Sequence, residues 1–349
     1  MVTDIDARPV DAPPVDALLV VGFGGPEGPD DVLPFMENVT RGRGIPADRL
    51  AEVSSHYLEV FGGVSPINQQ CRELVAALQS ELVARGPDLP VYWGNRNWHP
   101  FLAETLRQMA ADGRRHALAI VTSAFPSYSG CRQYREDIMR ARTSPGAPVV
   151  TKLRHYYAEE GFLEPMRRSV AVASADLTDP RLVFTAHSIP LGMADSSGPS
   201  GGAYVAALRQ AAAAIAGDQA WDLVFQSRSG PPQVPWLEPD VSDHLQALYD
   251  GGVRAAVLVP VGFTSDHVEV LYDLDVQARQ RIDAAMAGFE VRRAATVGTA
   301  PAFVTMLRDL VVERINAAEE LPDHGGVATH DRCPVGCCPP PPRRGQAVG

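Results

Sequence analysis

Two stretches of the chain place reactive side chains directly after apolar runs. The run Leu182–Phe184 leads to His187, and the run Ala255–Phe263 leads to an acidic segment that contains Glu269 and Asp273. Such runs predict buried parallel strands, and ligands of open α/β sheets bind outside the carboxyl ends of the strands. A neutral imidazole near carboxylates can ligate a divalent metal ion or accept a proton. We therefore predict a metal or proton-transfer site at these strand ends.

The acidic segment predicts a helix with one polar face. Glu269, Asp273 and Gln277 recur at every fourth position, which places them along one side of a helix. A solvated acidic face is the structural alternative. The apolar residues between the three polar ones leave little room for a fully exposed helix, which favours the functional interpretation. A structural role is likewise the alternative for His187.

A second group of reactive residues lies near the end of the chain. Cys333, Cys337 and Cys338 fall within six residues of a tail that is rich in proline and poor in apolar residues. Because such a tail cannot bury thiols in a core, metal binding is the usual explanation, and zinc and iron–sulfur sites each require four ligands. Cys131, in a Gly/Ser loop, is a better fourth ligand than Cys71, which lies on an amphipathic helix. Zinc, iron–sulfur and a metal-free redox-active tail remain open from the residues alone.

The elements that position these residues form a repeat. RLVFTAHSIP in the second half corresponds to LLVVGFGGP in the first. DLVFQSRSGPP corresponds to VYWGNRNWHP, and AAVLVPVGFTSDHVEVLYD to ALAIVTSAFPSYSGCRQYRED. Strands that alternate with helices predict βαβ units and parallel sheets. The fold class is therefore α/β, with two similar Rossmann-like, doubly wound halves around one central cleft.

The composition divides the chain into five predicted segments. These are a disordered lead at 1–16, a first half at 17–152, a second half at 153–300, a helix at 301–321 that returns to the first half, and a Cys/Pro-rich tail at 322–349.

The overall charge excludes some partners. The net charge of −11 argues against nucleic acid, which requires clustered Lys and Arg. No apolar run reaches transmembrane length, and the acidic N-terminus lacks the features of a signal peptide. We expect a cytoplasmic protein, and a monomer because no exposed apolar stripe is evident.

Several separate motifs together resemble the ferrochelatases. TAHSIP, VGFTSDHVEVLYDLD, GGVSPIN, NWHPF and FQSRSGPPQVPWLEPDV occur in the order and at the separations of that family, over about residues 18–321. The resemblance implies an enzyme that inserts Fe²⁺, its substrate, into a porphyrin during haem biosynthesis. It also implies two chelatase-type halves with the porphyrin in the cleft between them.

The resemblance also implies roles for individual residues. His187 matches the histidine of the family's HS[IL]P motif and Glu269 the glutamate of its DHxE motif, which together form the inner metal site. Asp273 continues the acidic file as a third catalytic residue, whereas Gln277 stands where the family more often has an acid. Whether His187 is the base or the first metal ligand stays open.

The porphyrin contacts follow from the same resemblance. Ser65 and Tyr134 match positions that hold porphyrin propionates, and Arg41, His56 and Tyr57 lie in the segment that covers the same edge. Arg43 adds a cation to this edge. One further contact, Phe23, stands where some bacterial relatives have a tyrosine that ligates product iron, so no axial ligand is expected from this side.

The cysteines and the substrate complete the implied picture. Cys131 with Cys333, Cys337 and Cys338 resembles the actinobacterial arrangement that holds a [2Fe–2S] cluster, which favours iron–sulfur over zinc. The soluble character of the chain and its carboxylate-binding edge favour coproporphyrin III as substrate and Fe-coproporphyrin III as product. The alternatives are a protoporphyrin IX ferrochelatase, a cobalt or nickel chelatase for another tetrapyrrole, and a non-catalytic haem or porphyrin carrier.

Overall fold

The strands of the described residues form two sheets of four. The computed structural model describes residues 12–41, 47–230, 233–317, 330 and 333–340, without the side chains of 47–49 and 52. The strands within these ranges are β1 (Ala17–Gly22), β2 (Val91–Asn95), β3 (His116–Val121), β4 (Val149–Lys152), β5 (Arg181–His187), β6 (Trp221–Gln226), β7 (Ala255–Val259) and β8 (Glu290–Arg293).

Helices follow most of the strands. In the first half these are α1 (Pro29–Thr40), α2 (Ala47–Phe61), α3 (Ile67–Arg85), α4 (Leu102–Ala111), the π-helix π1 (Tyr128–Arg132) and α5 (Gln133–Ala141). The others are α6 (Glu160–Ser174), α7 (Leu191–Asp195), α8 (Ala203–Ala216), α9 (Val241–Asp250), α10 (Val268–Val270), the π-helix π2 (Leu271–Gln277), α11 (Ala278–Ala285) and α12 (Pro301–Asn316). Among the described residues, no helix is both long and apolar enough to cross a lipid bilayer.

The two sheets have the same topology. The strand order is β2-β1-β3-β4 in the first sheet and β6-β5-β7-β8 in the second, and every pairing within them is parallel. The α/β class and the repeat of two doubly wound halves are therefore confirmed. Along the sequence, the strands of the first sheet end by residue 152, and those of the second begin after it. The exact boundary at 152/153 stays a prediction. Most of the predicted lead and tail lies outside the described residues.

A single core joins the two halves. Alternate residues of a strand point to opposite faces of its sheet. Leu18 and Val20 of β1, and Leu182 and Phe184 of β5, therefore face one shared apolar cluster. Residues of α3, α6, α8 and α12 fill this cluster between the sheets, and the other face of each sheet packs on its own smaller core. Strands buried on both faces explain the continuous apolar runs in the sequence.

The second sheet ends earlier than the sequence indicates. We predict a strand over Ala255–Phe263, but β7 ends at Val259. Pro260 has no backbone N–H to donate to the neighbouring strand, so the ladder stops there. The chain then turns towards the end of β5, where the Gly262 N–H donates to the Thr185 carbonyl oxygen at 3.1 Å.

Gly262 allows the close approach that brings this turn against β5. A Cβ atom at position 262 would lie 2.7 Å from the Ala186 Cβ and 2.8 Å from its Cα, closer than real side chains pack. Because one of these atoms belongs to the backbone of a central strand, the contact cannot be relieved by a side-chain rotation. The glycine therefore sets how near residues 263–269 come to His187.

We expect Gly262→Ala to lower the free energy of unfolding by about 1–3 kcal/mol, because the added methyl group overpacks the core beside β5. Gly192→Ala is the matched control, since a Cβ at position 192 meets no atom within 4 Å. Denaturant unfolding of both variants measures the difference. Equal stability of the two variants would contradict the packing argument.

Candidate functional site

His187 and Glu269 face each other at the carboxyl end of the second sheet. His187 is the last residue of β5, and its Nε2 lies 3.6 Å from Oε2 of Glu269. The His187 Nδ1 lies 2.5 Å from the Ser188 carbonyl oxygen. Because a carbonyl oxygen only accepts hydrogen bonds, Nδ1 must carry the proton of the neutral ring. The Nε2 lone pair is therefore directed towards Glu269.

The acidic file begins on α10 and continues on π2 rather than on one continuous α-helix. π-helices are rare and often occur at functional sites. The predicted polar face divides along its length: Glu269 approaches His187, Asp273 is partly buried, and Gln277 is exposed. The described structure therefore brings Asp273, and not Gln277, to the strand ends.

The Asp273 carboxylate is held by the end of β6. Its Oδ2 accepts hydrogen bonds from the Ser227 hydroxyl at 2.5 Å and from Nε2 of Gln226 at 3.3 Å. Burial raises the pKa of Asp273 to about 6, and the nearby charge of Glu269 acts in the same direction. The carboxylate can therefore exchange a proton near neutral pH.

Two further titratable side chains lie near His187 and Glu269. Burial lowers the pKa of His267, which keeps this second imidazole neutral. Burial and the charge of Glu269 raise the pKa of Tyr57, which keeps its hydroxyl protonated. Charge at this site is thus concentrated on the carboxylates of Glu269 and Asp273, which suits a cationic substrate.

Helix α2 of the first half packs against π2 of the second. The His56 ring stacks on the Tyr272 ring with centroids 4.1 Å apart and planes 13° apart. Tyr57 is buried in an apolar cluster with Phe35 and Val268. Two of the predicted porphyrin contacts therefore lie directly beside the acidic file.

The predicted contacts Phe23 and Tyr134 meet at Arg96. The guanidinium carbon of Arg96 lies 4.3 Å from the Tyr134 ring centroid and 5.9 Å from that of Phe23, both within cation–π range. Arg96 also forms an ion pair with Asp137, and its side chain is 6% exposed. Tyr134 is buried beneath it.

Arg96 is a functional candidate that the sequence analysis does not single out. It directly follows β2, so the rule that ligands bind at carboxyl ends of strands already points to it. Tyr272, Gln226 and Ser227 are similarly absent from the predicted set. Their roles depend on contacts between elements that are distant in sequence.

Two of the remaining predicted edge residues, Ser65 and Arg41, lie in the described part of the first half. Ser65 is buried, and its backbone N–H donates to the Pro26 carbonyl oxygen at 2.8 Å. Arg41 is exposed and donates to Oδ1 of Asn38 at 2.5 Å. Arg43 lies outside the described residues.

The cysteines form a separate group at the junction of the two halves. The Sγ atoms of Cys337 and Cys338 lie 3.8 Å apart, and the Cys338 Sγ accepts a hydrogen bond from the Gly198 N–H at 3.1 Å. Cys131, in π1, is hydrogen-bonded to Cys333. This hydrogen bond, together with burial, raises the pKa of Cys131 to about 12. The tail thus contacts π1 of the first half and the segment before α8 of the second.

Four of the five thiols therefore lie together in one chain of contacts. The contacts join Cys131 to Cys333, Cys333 to Cys337, and Cys337 to Cys338. Cys71 lies elsewhere, buried on α3, as the amphipathic pattern predicts.

The described fold is similar to two solved chelatase structures. CbiX, the terminal enzyme for siroheme biosynthesis in denitrifying bacteria, superposes with a TM-score of 0.50 at 19% identity over 85% of this chain and 98% of that chain. SirB from Bacillus subtilis with Fe³⁺ superposes with a TM-score of 0.53 at 11% identity over 86% and 97%. At these identities the likeness shows the chelatase-type fold alone.

Sequence comparison identifies much nearer relatives. The coproporphyrin III ferrochelatase of Streptomyces coelicolor is 52% identical over 97% of both chains. The coproporphyrin III ferrochelatase of Mycolicibacterium smegmatis is 47% identical over 92% of this chain and 98% of its own. The ferrochelatase of Rhodopirellula baltica is 49% identical over 97% of both. The ferrochelatase family model matches residues 15–315. The chain therefore belongs to the ferrochelatase family, whose members are metal-insertion enzymes.

Proposed function

We propose that the protein inserts Fe²⁺ into coproporphyrin III to give Fe-coproporphyrin III. The observation that carries the proposal is the pair of His187 and Glu269, which lie 3.6 Å apart at the end of the second sheet. The substrate is supported by near-full-length relatives of about 50% identity that are named coproporphyrin III ferrochelatases.

In the proposed mechanism, His187 is the first proton acceptor. Metal insertion must remove two protons from the pyrrole nitrogens while Fe²⁺ loses its bound water. The Nε2 lone pair of His187 is available because Nδ1 donates to Ser188. Once protonated, the imidazolium is stabilised by the carboxylate of Glu269 across the 3.6 Å gap.

Glu269 and Asp273 serve the metal and the second proton. The Glu269 carboxylate supplies an oxygen ligand and negative charge to the incoming Fe²⁺. The attraction between these two charges is stronger in a partly buried cleft than in water. Asp273 has a pKa of about 6, so it is largely ionised at neutral pH and can accept a proton. Gln226 and Ser227 hold it in position.

The porphyrin is held by the elements of the first half. Arg96 and Arg41 supply positive charge for the substrate carboxylates, and each charge-assisted hydrogen bond contributes about 1.5–3 kcal/mol. Ser65, Tyr134 and Tyr57 of the first half supply hydroxyl groups. Phe23 offers an apolar ring and no iron ligand, so product release does not require breaking an axial bond from this residue.

A metalation assay tests the function. Under anaerobic conditions with Fe²⁺, we expect a higher kcat/KM for coproporphyrin III than for protoporphyrin IX, because only the former has four propionates for the polar edge. His187→Ala should reduce kcat to below about a tenth of wild type, a barrier increase above ~1.4 kcal/mol, while porphyrin affinity stays within a few-fold. Glu269→Gln should be nearly as severe.

Three outcomes of this assay would overturn the proposal. Equal kcat/KM values or a preference for protoporphyrin IX would replace the substrate. Binding of porphyrin with no change to the metalated absorbance spectrum would indicate a carrier. Retention of more than about a tenth of kcat by His187→Ala would remove His187 from the centre of the mechanism.

We expect Asp273→Asn to change both the pH–rate profile and the stability. In wild type, kcat/KM should rise as the pH passes about 6, where Asp273 loses its proton, and this rise should be absent in the variant. Because the folded-state pKa lies above the unfolded value, ionisation destabilises the fold above pH 6. The variant should therefore be about 1–3 kcal/mol more stable at pH 8.

That stability gain should vanish below pH 4, where the carboxyl group is neutral in both the folded and the unfolded state. Asp283→Asn, at an exposed position of α11, is the matched control and should change neither quantity. A gain that does not vary with pH would show that the carboxylate of Asp273 carries no cost of burial.

We also propose that Cys131, Cys333, Cys337 and Cys338 hold a [2Fe–2S] cluster. Such a cluster takes four thiolate ligands, and the proposal is supported by the contacts that bring these four thiols together. When bound, the cluster would supply a one-electron redox centre and crosslink the tail to π1. Metal insertion itself transfers no electron, so we assign the cluster a structural or regulatory role.

The purified protein should be reddish-brown and contain two iron and two sulfide per chain. Cys131→Ser should bleach the colour because it removes one thiolate ligand, whereas Cys71→Ser, the matched control on α3, should not. Elemental analysis and acid-labile sulfide measure the result. Zinc without sulfide in the wild-type protein would refute the cluster.

A further inference from the structure

The tail carries one metal-binding side chain, His330, in addition to the three cysteines of the proposed cluster. The ligand atoms of His330, Cys333 and Cys337 all lie within 4.8 Å of one another. We propose that these three residues form a second donor set, which binds a single Zn²⁺ ion in chains whose cysteines hold no cluster.

The chemistry and the local backbone favour zinc. Two thiolates and one imidazole are ligands that zinc accepts in tetrahedral sites, where neighbouring sulfur and nitrogen atoms lie about 3.5 Å apart. The donors follow the spacing H-x₂-C-x₃-C. Cys337 lies on a turn in which its N–H donates to the Pro334 carbonyl oxygen at 3.1 Å, and Gly336 has a φ of +85°. Contraction from separations of at most 4.8 Å to about 3.5 Å requires the ligand atoms to approach one another by about 1 Å.

The exposure of the set leaves the fourth position for water. His330 and Cys333 are partly exposed, whereas Cys337 is buried. Within the part of the chain that the structure describes, Cys131 and Cys338 do not belong to this mutual group. Cys338 instead keeps its hydrogen bond from the Gly198 N–H, so the tail stays in contact with the second half. Binding of Zn²⁺ displaces the thiol protons of Cys333 and Cys337 to solvent.

The zinc set and the proposed cluster set thus overlap in Cys333 and Cys337 only. The cluster requires Cys131 and Cys338, and the zinc ion requires His330. Because the two sets differ in this way, single substitutions can separate them, and the inference does not depend on metal insertion at His187 and Glu269.

The experiment uses full-length protein freed of iron and sulfide under anaerobic, reducing conditions, with Co²⁺ as the spectroscopic probe for zinc. We expect a near-ultraviolet thiolate-to-cobalt charge-transfer band that saturates at one equivalent and is abolished by one equivalent of Zn²⁺. His187 and Glu269 include no thiol, so Co²⁺ bound there cannot produce this band. Absence of the band from wild-type protein would overturn the inference.

Substitutions supply the second test. His330→Ala should weaken Co²⁺ binding at least tenfold yet leave the reddish-brown colour and acid-labile sulfide of the cluster-loaded protein unchanged. Cys338→Ser should do the reverse, and Cys71→Ser should change neither. Unaltered Co²⁺ affinity in His330→Ala, or loss of the cobalt band in Cys338→Ser, would refute the assigned donors. Wild-type protein that shows the cobalt band but never contains sulfide would refute the cluster proposal alone.

Discussion

The site depends on the close contact between the end of β5 and the turn that follows β7. The Gly262 N–H donates to the Thr185 carbonyl oxygen at 3.1 Å, and the missing side chain at Gly262 allows the two backbones to meet. Through this contact, the chain that leaves the end of β7 returns to the end of β5. Without it, Glu269 would not reach within 3.6 Å of His187. A main-chain hydrogen bond and the absence of a side chain at Gly262 therefore help to position the side chains to which we assign metal and proton chemistry.

The internal repeat gives the two proposed metal sites similar places in the fold. π1 follows β3 and π2 follows β7, and β3 and β7 occupy matching positions in their sheets. Asp273 lies on π2 of the second half, and Cys131 lies on π1 of the first half. The same backbone device thus presents a carboxylate in one half and a thiol in the other.

Sequence patterns predict the parts of the fold that depend on periodicity. The amphipathic helix that carries Cys71 and the strand that leads to His187 agree with the structure because apolar spacing determines which face is buried. The nearness of His187 and Glu269 follows from the rule for strand ends. The π-helices and the contacts of Arg96 could not be predicted in this way. They depend on hydrogen-bond register and on partners such as Asp137 from another element. No local pattern encodes those contacts.

Local strain accompanies the ionisable group at the centre of the site. Ser227 has a φ of 61°, a left-handed conformation that non-glycine residues rarely adopt, and its hydroxyl donates to Asp273. The hydrogen bond opposes the rise in the pKa of Asp273, whereas burial drives that rise and prevails. Full exposure would return the carboxyl group to its ordinary pKa, and deeper burial without Ser227 would keep it protonated. The strained serine therefore holds Asp273 where it can both accept and release a proton near neutral pH.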